Sequence, residues 1–95
     1  MKLIGKQSLR EFIERHTDAR SQTESWEAEA EEAQWATPHD LKGGYPKASI
    51  LKGQNVIFNI CGNMYRLWVK INYKNQTVLV KGIGTHKEYE KWEII

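Results

Sequence analysis

From Met64 to Tyr73 the chain alternates. Tyr65, Leu67, Val69, Ile71 and Tyr73 are apolar or aromatic, and Arg66, Trp68, Lys70 and Asn72 stand between them. Successive side chains of a strand point to opposite faces. This segment therefore predicts a strand with one face on a core and the other presenting arginine, tryptophan, lysine and asparagine. Val56–Ile60 predicts the strand before it. Gly62-Asn63 predicts the tight hairpin between them, because such a pair supplies positive φ angles. Lys74-Asn75-Gln76 predicts a second turn, and Thr77–Gly82 a third strand with Val78 and Val80 on the core side.

The first half has a different period. Met1–Gly5 is short and apolar enough for an edge strand. Ser8-Leu9-Arg10-Glu11 has the pattern of a capping box, and Leu9, Phe12 and Ile13 follow at helical spacing, which predicts a helix to about His16. Thr17 and Asp18 are candidate caps for a second helix. Trp26, Ala30 and Ala33 recur at i, i+4 and i+7 as its buried stripe, with glutamates on its other faces. Thr37-Pro38 is expected to end it, since the residue before proline is pushed out of helical geometry. After Gly84, Thr85-His86-Lys87-Glu88 repeats the capping box and opens a short last helix, with His86 and Tyr89 on one face. Helices first and a three-strand meander second predict an α+β fold. Its N-terminal helices would pack on one side of a small antiparallel sheet, with a short C-terminal helix.

Ninety-five residues suit one domain, 1–95. The single cysteine, Cys61, permits no intrachain disulfide and suggests a reducing compartment. Charges throughout the first twenty residues exclude a secretory apolar region, and no apolar run approaches the ~20 residues that span a bilayer. A cytoplasmic protein with no membrane partner is expected. Charge divides unevenly: residues 1–40 carry nine acids and five bases, a balance of −4, and residues 41–95 carry nine bases and three acids, a balance of +6. A basic surface for a polyanion and an acidic surface turned away from it would account for the split.

The sequence lacks HExxH, CxxC, paired histidines at ligand spacing and a P-loop, and Glu24, Glu27 and Glu31 read as a solvated helix face. No metal or cofactor is expected. What remains is a polar set on the basic half: Arg66 and Lys70 on the open strand face, and His86 and Tyr89 at the start of the last helix. RNA carries its own nucleophile, the 2′-hydroxyl. A protein need only deprotonate it, neutralise charge on the phosphate and protonate the leaving 5′ oxygen. Arginine holds two phosphate oxygens in its planar fork, and histidine exchanges protons near working pH. A phosphate between Arg66 and the amino end of the last helix is the expected arrangement. Plainer readings exist for each residue. Arg66 can be a solvated charge and His86 a surface residue, Tyr89 and Trp92 can simply pack on the sheet, and Trp68 can cover a sheet face rather than stack a base. His16 and His39 receive no role, and Cys61 reads as a small buried hydrophobe.

At these residues the chain resembles the HigB family of toxins from bacterial toxin–antitoxin pairs. The run from Val56 through Phe58-Asn59, Gly62-Asn63 and Arg66 matches that family's Phe-Asn-aliphatic-x-Gly-Asn-x-x-Arg segment, and Thr85-His86-Lys87-Glu88-Tyr89 matches its second segment. Leu41-Lys42-Gly43-Gly44-Tyr45-Pro46 matches the loop before the second strand, so the resemblance covers nearly the whole chain. It implies a RelE-like fold, endoribonuclease activity on mRNA at translating ribosomes, and neutralisation by a HigA-like antitoxin, a helix-turn-helix protein through which the complex binds operator DNA. It further implies Arg66 as the phosphate-stabilising group, His86 as acid or base, and Tyr89 as the residue holding the substrate or His86. Lys70 and Lys87 would add electrostatic support, and Trp68 and Asn63 would contact RNA. Two other readings stand beside it: a RelE/ParE-shaped toxin that blocks a protein target without cutting, and an RNA-binding module. Arg66 with His86 favours the nuclease, since a pure binder needs no titrating group there.

Overall fold

The computed structural model describes residues 1–94; of the expected domain 1–95, position 95 lies outside the described residues. The elements run β1 (Lys2–Ile4), α1 (Lys6–Arg15), α2 (Arg20–Glu32), α3 (Pro38–Gly44), β2 (Ser49–Ile50), β3 (Asn55–Ile60), β4 (Tyr65–Asn72), β5 (Thr77–Thr85) and α4 (His86–Tyr89). The strands form one sheet in the order β1-β5-β4-β3-β2. The expected meander is its antiparallel centre, β1 joins β5 in parallel and β2 adds a two-residue antiparallel edge. The result is an α+β fold whose sheet is mixed and five-stranded rather than antiparallel and three-stranded.

The alternation of β4 holds along its length. Tyr65, Leu67, Val69 and Ile71 are buried, and Arg66, Trp68, Lys70 and Asn72 are half-buried on the opposite face. The buried set meets Leu9 and Phe12 of α1, Trp26 and Ala30 of α2, Leu41 of α3 and Phe58 of β3 in one core. Each leucine, valine, isoleucine or phenylalanine among them contributes roughly 1.5–3 kcal/mol by leaving water.

Several boundaries differ from the sequence expectation. Ser8 caps nothing: α1 begins at Lys6, and Gly5 (φ 93°) turns the chain directly from β1 into the helix. A Cβ at Gly5 would lie 3.2 Å from the Val80 carbonyl oxygen, which suits the position to glycine twice over. Neither Thr17 nor Asp18 caps α2; they form a 3₁₀ turn with Ala19. Asp18 instead accepts the Tyr65 hydroxyl at 2.9 and 2.8 Å. Helix α2 ends at Glu32, with Ala33 extended and half-buried. Thr37 caps the next helix rather than closing this one: its hydroxyl accepts from the Asp40 N–H, with Pro38 in the first turn of α3. A proline stops a helix before it and starts one after it, and here the second effect governs. The segment Leu41–Gly44, expected as loop, is therefore helical.

Glu27 is also not solvated. It is 8% exposed and takes a bidentate grip from Arg10 at 2.7 and 2.6 Å, which raises the Arg10 pKa. The β3–β4 turn has its positive φ angles at Cys61 (54°) and Gly62 (67°), one residue earlier than expected. Cys61 is half-buried there, and burial, then the Asp18 charge, pushes its thiol pKa up.

One irregularity positions the site. Between Trp68 and Val69 the β4–β5 register jumps from Gly82 to Val80, which leaves Lys81 unmatched. This bulge inverts the alternation of β5. Val78 and Val80 face the core before it, and Ile83 packs against the core after it. Gly82 and Gly84 consequently fall opposite Trp68 and Arg66. Strand β5 also runs three residues past the expected end at Gly82, and Thr85 pairs with Tyr65.

Candidate functional site

The long β5 delivers α4 to the end of β4 nearest the β3–β4 turn. The His86 N–H donates to the Met64 carbonyl at 3.2 Å and ties the first residue of α4 to the hairpin. The expected capping box at Thr85 is complete: Thr85 Oγ1 accepts the Glu88 N–H at 3.1 Å, and Glu88 Oε1 accepts the Thr85 N–H at 2.8 Å. The Thr85 N–H holds the Glu88 carboxyl below its ordinary range. These bonds occupy donors that the sequence reading assigned to a phosphate. The amino end of α4, one turn long and faced by a carboxylate, is thus not the anion site that was expected.

The side chains beside it are better placed. Arg66 lies opposite Gly84, and its Nη1 donates to the carbonyls of Asn63 (2.9 Å) and Tyr65 (3.3 Å). Its Cζ lies 5.7 Å from the centroid of the Tyr89 ring. The His86 ring centroid is 6.1 Å from that of Tyr89. His86 is half exposed, and its Nε2 meets Glu90 Oε1 at 3.0 Å. A guanidinium and an imidazole thus adjoin the same phenol at the surface, neither sealed in the core nor on opposite sides of the molecule.

The remaining sequence-selected residues are spread around this cluster. Asn63 is exposed in the turn and supplies the carbonyl that Arg66 grips. Lys87 is exposed on α4. Lys70 shares the Arg66 face but lies four residues along β4, about 13 Å away at ~3.3 Å per residue, with Trp68 between them. Trp68 is a packed residue. Its Nε1 donates to the buried Asn55 at 2.8 Å, its ring centroid lies 5.9 Å from that of Trp92, and Lys81 Nζ is 5.7 Å from its centroid. His16 stacks on Phe12 at 4.5 Å and His39 is exposed on α3. Among the described residues, no three His, Cys, Asp or Glu side chains gather as a group that could hold a metal ion.

Two features escaped the sequence reading. Glu90 sits four residues after His86, helical spacing that identifies it as a partner in retrospect. A cleft of about 310 Å³ lies beside β3, lined by Tyr45, Pro46, Lys47, Asn59, Gly62 and Asn63 among others. Strand β2 pairs only with Val56 and Ile57, so the outer edge of β3 beyond them borders this cleft. Asn59 is the register partner of Arg66, which places the cleft next to the cluster. The hydroxyl of Tyr45, one of its lining residues, donates to Glu29 at 2.9 Å, and burial raises the Tyr45 pKa.

An α+β fold, with a short helix closing one end of a mixed sheet, is the class this arrangement defines. A family model described as the RelE-like toxic component of a toxin–antitoxin system matches residues 19–92, and the chain belongs to that family, the HigB toxins. It is also similar to a protein named mRNA interferase HigB from Escherichia coli O6:H1 (strain CFT073), 26% identical over 93 residues, covering 96% of this chain and 90% of that one. The mRNA interferase toxin HigB of Escherichia coli (strain K12) is 23% identical over 92 residues, with 95% of this chain and 88% of that one covered. The mRNA interferase HigB of Shigella flexneri is similar to the same extent.

Proposed function

We propose that this toxin is an endoribonuclease that cleaves mRNA on the ribosome without a metal ion, with the scissile phosphate held beside Arg66. The observation that carries the reading is the placing of Arg66 and His86 against one phenol, Tyr89, at an open surface. The relatives' names, mRNA interferases, support the same substrate.

In the proposed step the 2′-oxygen forms a bond to phosphorus while the bond from phosphorus to the 5′ oxygen breaks. His86 takes the 2′-hydroxyl proton. Glu90 engages Nε2, which orients the ring and leaves Nδ1 for that transfer. The guanidinium of Arg66 neutralises charge gathering on the phosphate oxygens, a role that a planar fork fills well. The Tyr89 hydroxyl donates to the departing 5′ oxygen. Lys87 and Lys70 add positive potential, Lys70 from farther along the sheet, and Asn63 contacts the RNA strand at the turn. Trp68 contributes through packing rather than as an open stacking platform.

Partners follow from this reading. A HigA-like antitoxin neutralises the toxin, operator DNA is reached only through that antitoxin, and the substrate places the protein in the cytoplasm. Primer extension on mRNA from cells expressing the chain tests the activity, with end-group analysis of the products. Cuts within translated regions and 2′,3′-cyclic phosphate ends are expected. Ends bearing 5′ phosphates would rule out attack by the 2′-hydroxyl, and intact mRNA in growth-arrested cells would favour a toxin that blocks a protein target.

A further inference from the structure

Resting on that reading, we propose that Trp92 is a positioning residue for the cleavage step: seated against Gly82, Gly84 and Trp68, it fixes Tyr89 against Arg66. The slot originates in the bulge at Lys81, which brings both glycines to the face that carries Trp68 and Arg66. A Cβ at Gly84 would lie 3.2 Å from Trp92 Cζ2 and 2.9 Å from Glu88 Oε1. A Cβ at Gly82 would lie 3.5 Å from the same indole carbon, so a larger side chain there would run into the ring. The indole thus occupies space that two absent side chains leave open. It faces Trp68 with centroids 5.9 Å apart, and Trp68 is itself fastened to the buried Asn55.

From this seat Trp92 reaches the site. Its ring meets Tyr89 edge to face, 5.8 Å between centroids at 88°. Tyr89 therefore contacts Trp92, the Arg66 guanidinium and His86. The backbone after α4 is tied into the same unit, since Lys91 and Trp92 donate their N–H groups to the carbonyls of Glu88 and Tyr89, each at 3.1 Å. A helix of one turn has little stability of its own, so the packing of the residues that follow it supplies the rigidity. Edge-to-face contact sets a ring's direction as well as its depth. Misplacing a reacting group by about 1 Å can cost on the order of a hundredfold in rate.

A double-mutant cycle tests this on the full chain, with kcat and KM read from cleavage of mRNA on programmed ribosomes. Trp92→Ala is expected to lower kcat about 10- to 100-fold with KM within about threefold. Trp92→Phe, which keeps an aromatic edge, should restore kcat to within about threefold of wild type. On a Tyr89→Phe background, Trp92→Ala should cost less than about twofold more, because its effect passes through the placing of the hydroxyl already removed. Gly82→Leu, which retains the tryptophan and crowds its seat, should reproduce the kcat loss, and it replaces Trp92→Ala in the cycle if that variant melts without cooperativity. Losses that multiply in the double variant would overturn the positioning role and leave the nuclease assignment standing. Wild-type kcat in Tyr89→Phe itself would overturn the role given to Tyr89, and the positioning proposal with it.

Discussion

The Arg66 guanidinium lies over the ring of Tyr89, Cζ 5.7 Å from the ring centroid, at the seam where α4 meets β4. The two residues come from separate elements, and their contact depends on the hydrogen bond from the His86 N–H to the Met64 carbonyl and on the capping box at Thr85. An exposed cation–π contact contributes only about 0.5–1 kcal/mol. Its consequence is therefore one of placement more than of stability.

Arg66→Ala is expected to lose cleavage by about 10²–10³-fold, the range found when one transition-state donor is removed. Stability should change by no more than about 1 kcal/mol, because the lost bonds go to carbonyls at the surface turn. Arg66→Lys should recover little, since an ammonium cannot hold two phosphate oxygens in a plane. Cleavage assays paired with thermal melts separate the two effects.

His86→Ala is expected to abolish growth inhibition with the fold intact, a rate loss of roughly 10²–10⁴-fold. Glu90→Gln should give a smaller loss, because the imidazole remains and only the carboxylate facing Nε2 is gone. Wild-type toxicity of His86→Ala, with circular dichroism showing a folded chain, would remove histidine from the mechanism.

Glu88 gives the stability a defined pH dependence. Its pKa is held below the ordinary value, first by the Thr85 N–H. A carboxyl lowered in the folded state contributes stability that is fully present above its unfolded pKa, about 4.3, and is lost as pH falls through the folded value. Glu88→Gln can still accept from the Thr85 N–H but does not titrate. Wild type should therefore melt above the variant at pH 6–7, and the difference should shrink as pH falls below about 4.3. Thr85→Ala should cost about 0.5–2 kcal/mol at neutral pH.

Tyr65→Phe removes a hydroxyl that donates to both oxygens of Asp18 from a ring buried in the core. The bond's contribution is modest because Asp18 is exposed and regains water. Denaturant unfolding should show a small fall in stability. Tyr65 pairs with Thr85 across the sheet, so a larger loss of activity than of stability would reveal that the shelf beneath α4 had shifted.

Much of this was legible in the chain itself. The alternation Tyr65, Leu67, Val69, Ile71 allows only one assignment of faces to β4, because a strand has a period of two and four apolar residues must leave water together. Arg66 on the open face follows from the same count. The Thr85–Glu88 box marks the start of α4 through bonds that span only three residues, and the linked segments ending in Arg66 and Tyr89 carry the family resemblance. Local patterns misled where two local solutions were equally good. Ser8–Glu11 has the letters of a cap, but Gly5 had already turned the chain. Thr37-Pro38 can end one helix or begin another.

Contacts far apart in sequence were decided only by tertiary structure. The β1–β5 pairing joins residues more than seventy positions apart, and no short window contains it. Glu27 reads as one glutamate among many until Arg10 of α1 is brought against it. The bulge at Lys81 depends on how β5 is registered against β4, and it decides which face Gly82 and Gly84 occupy, hence where Trp92 can sit. Alternation fixes each strand's faces up to an inserted residue. One unpaired position reverses them, and that position is chosen by the packing of the whole sheet rather than by the letters nearby.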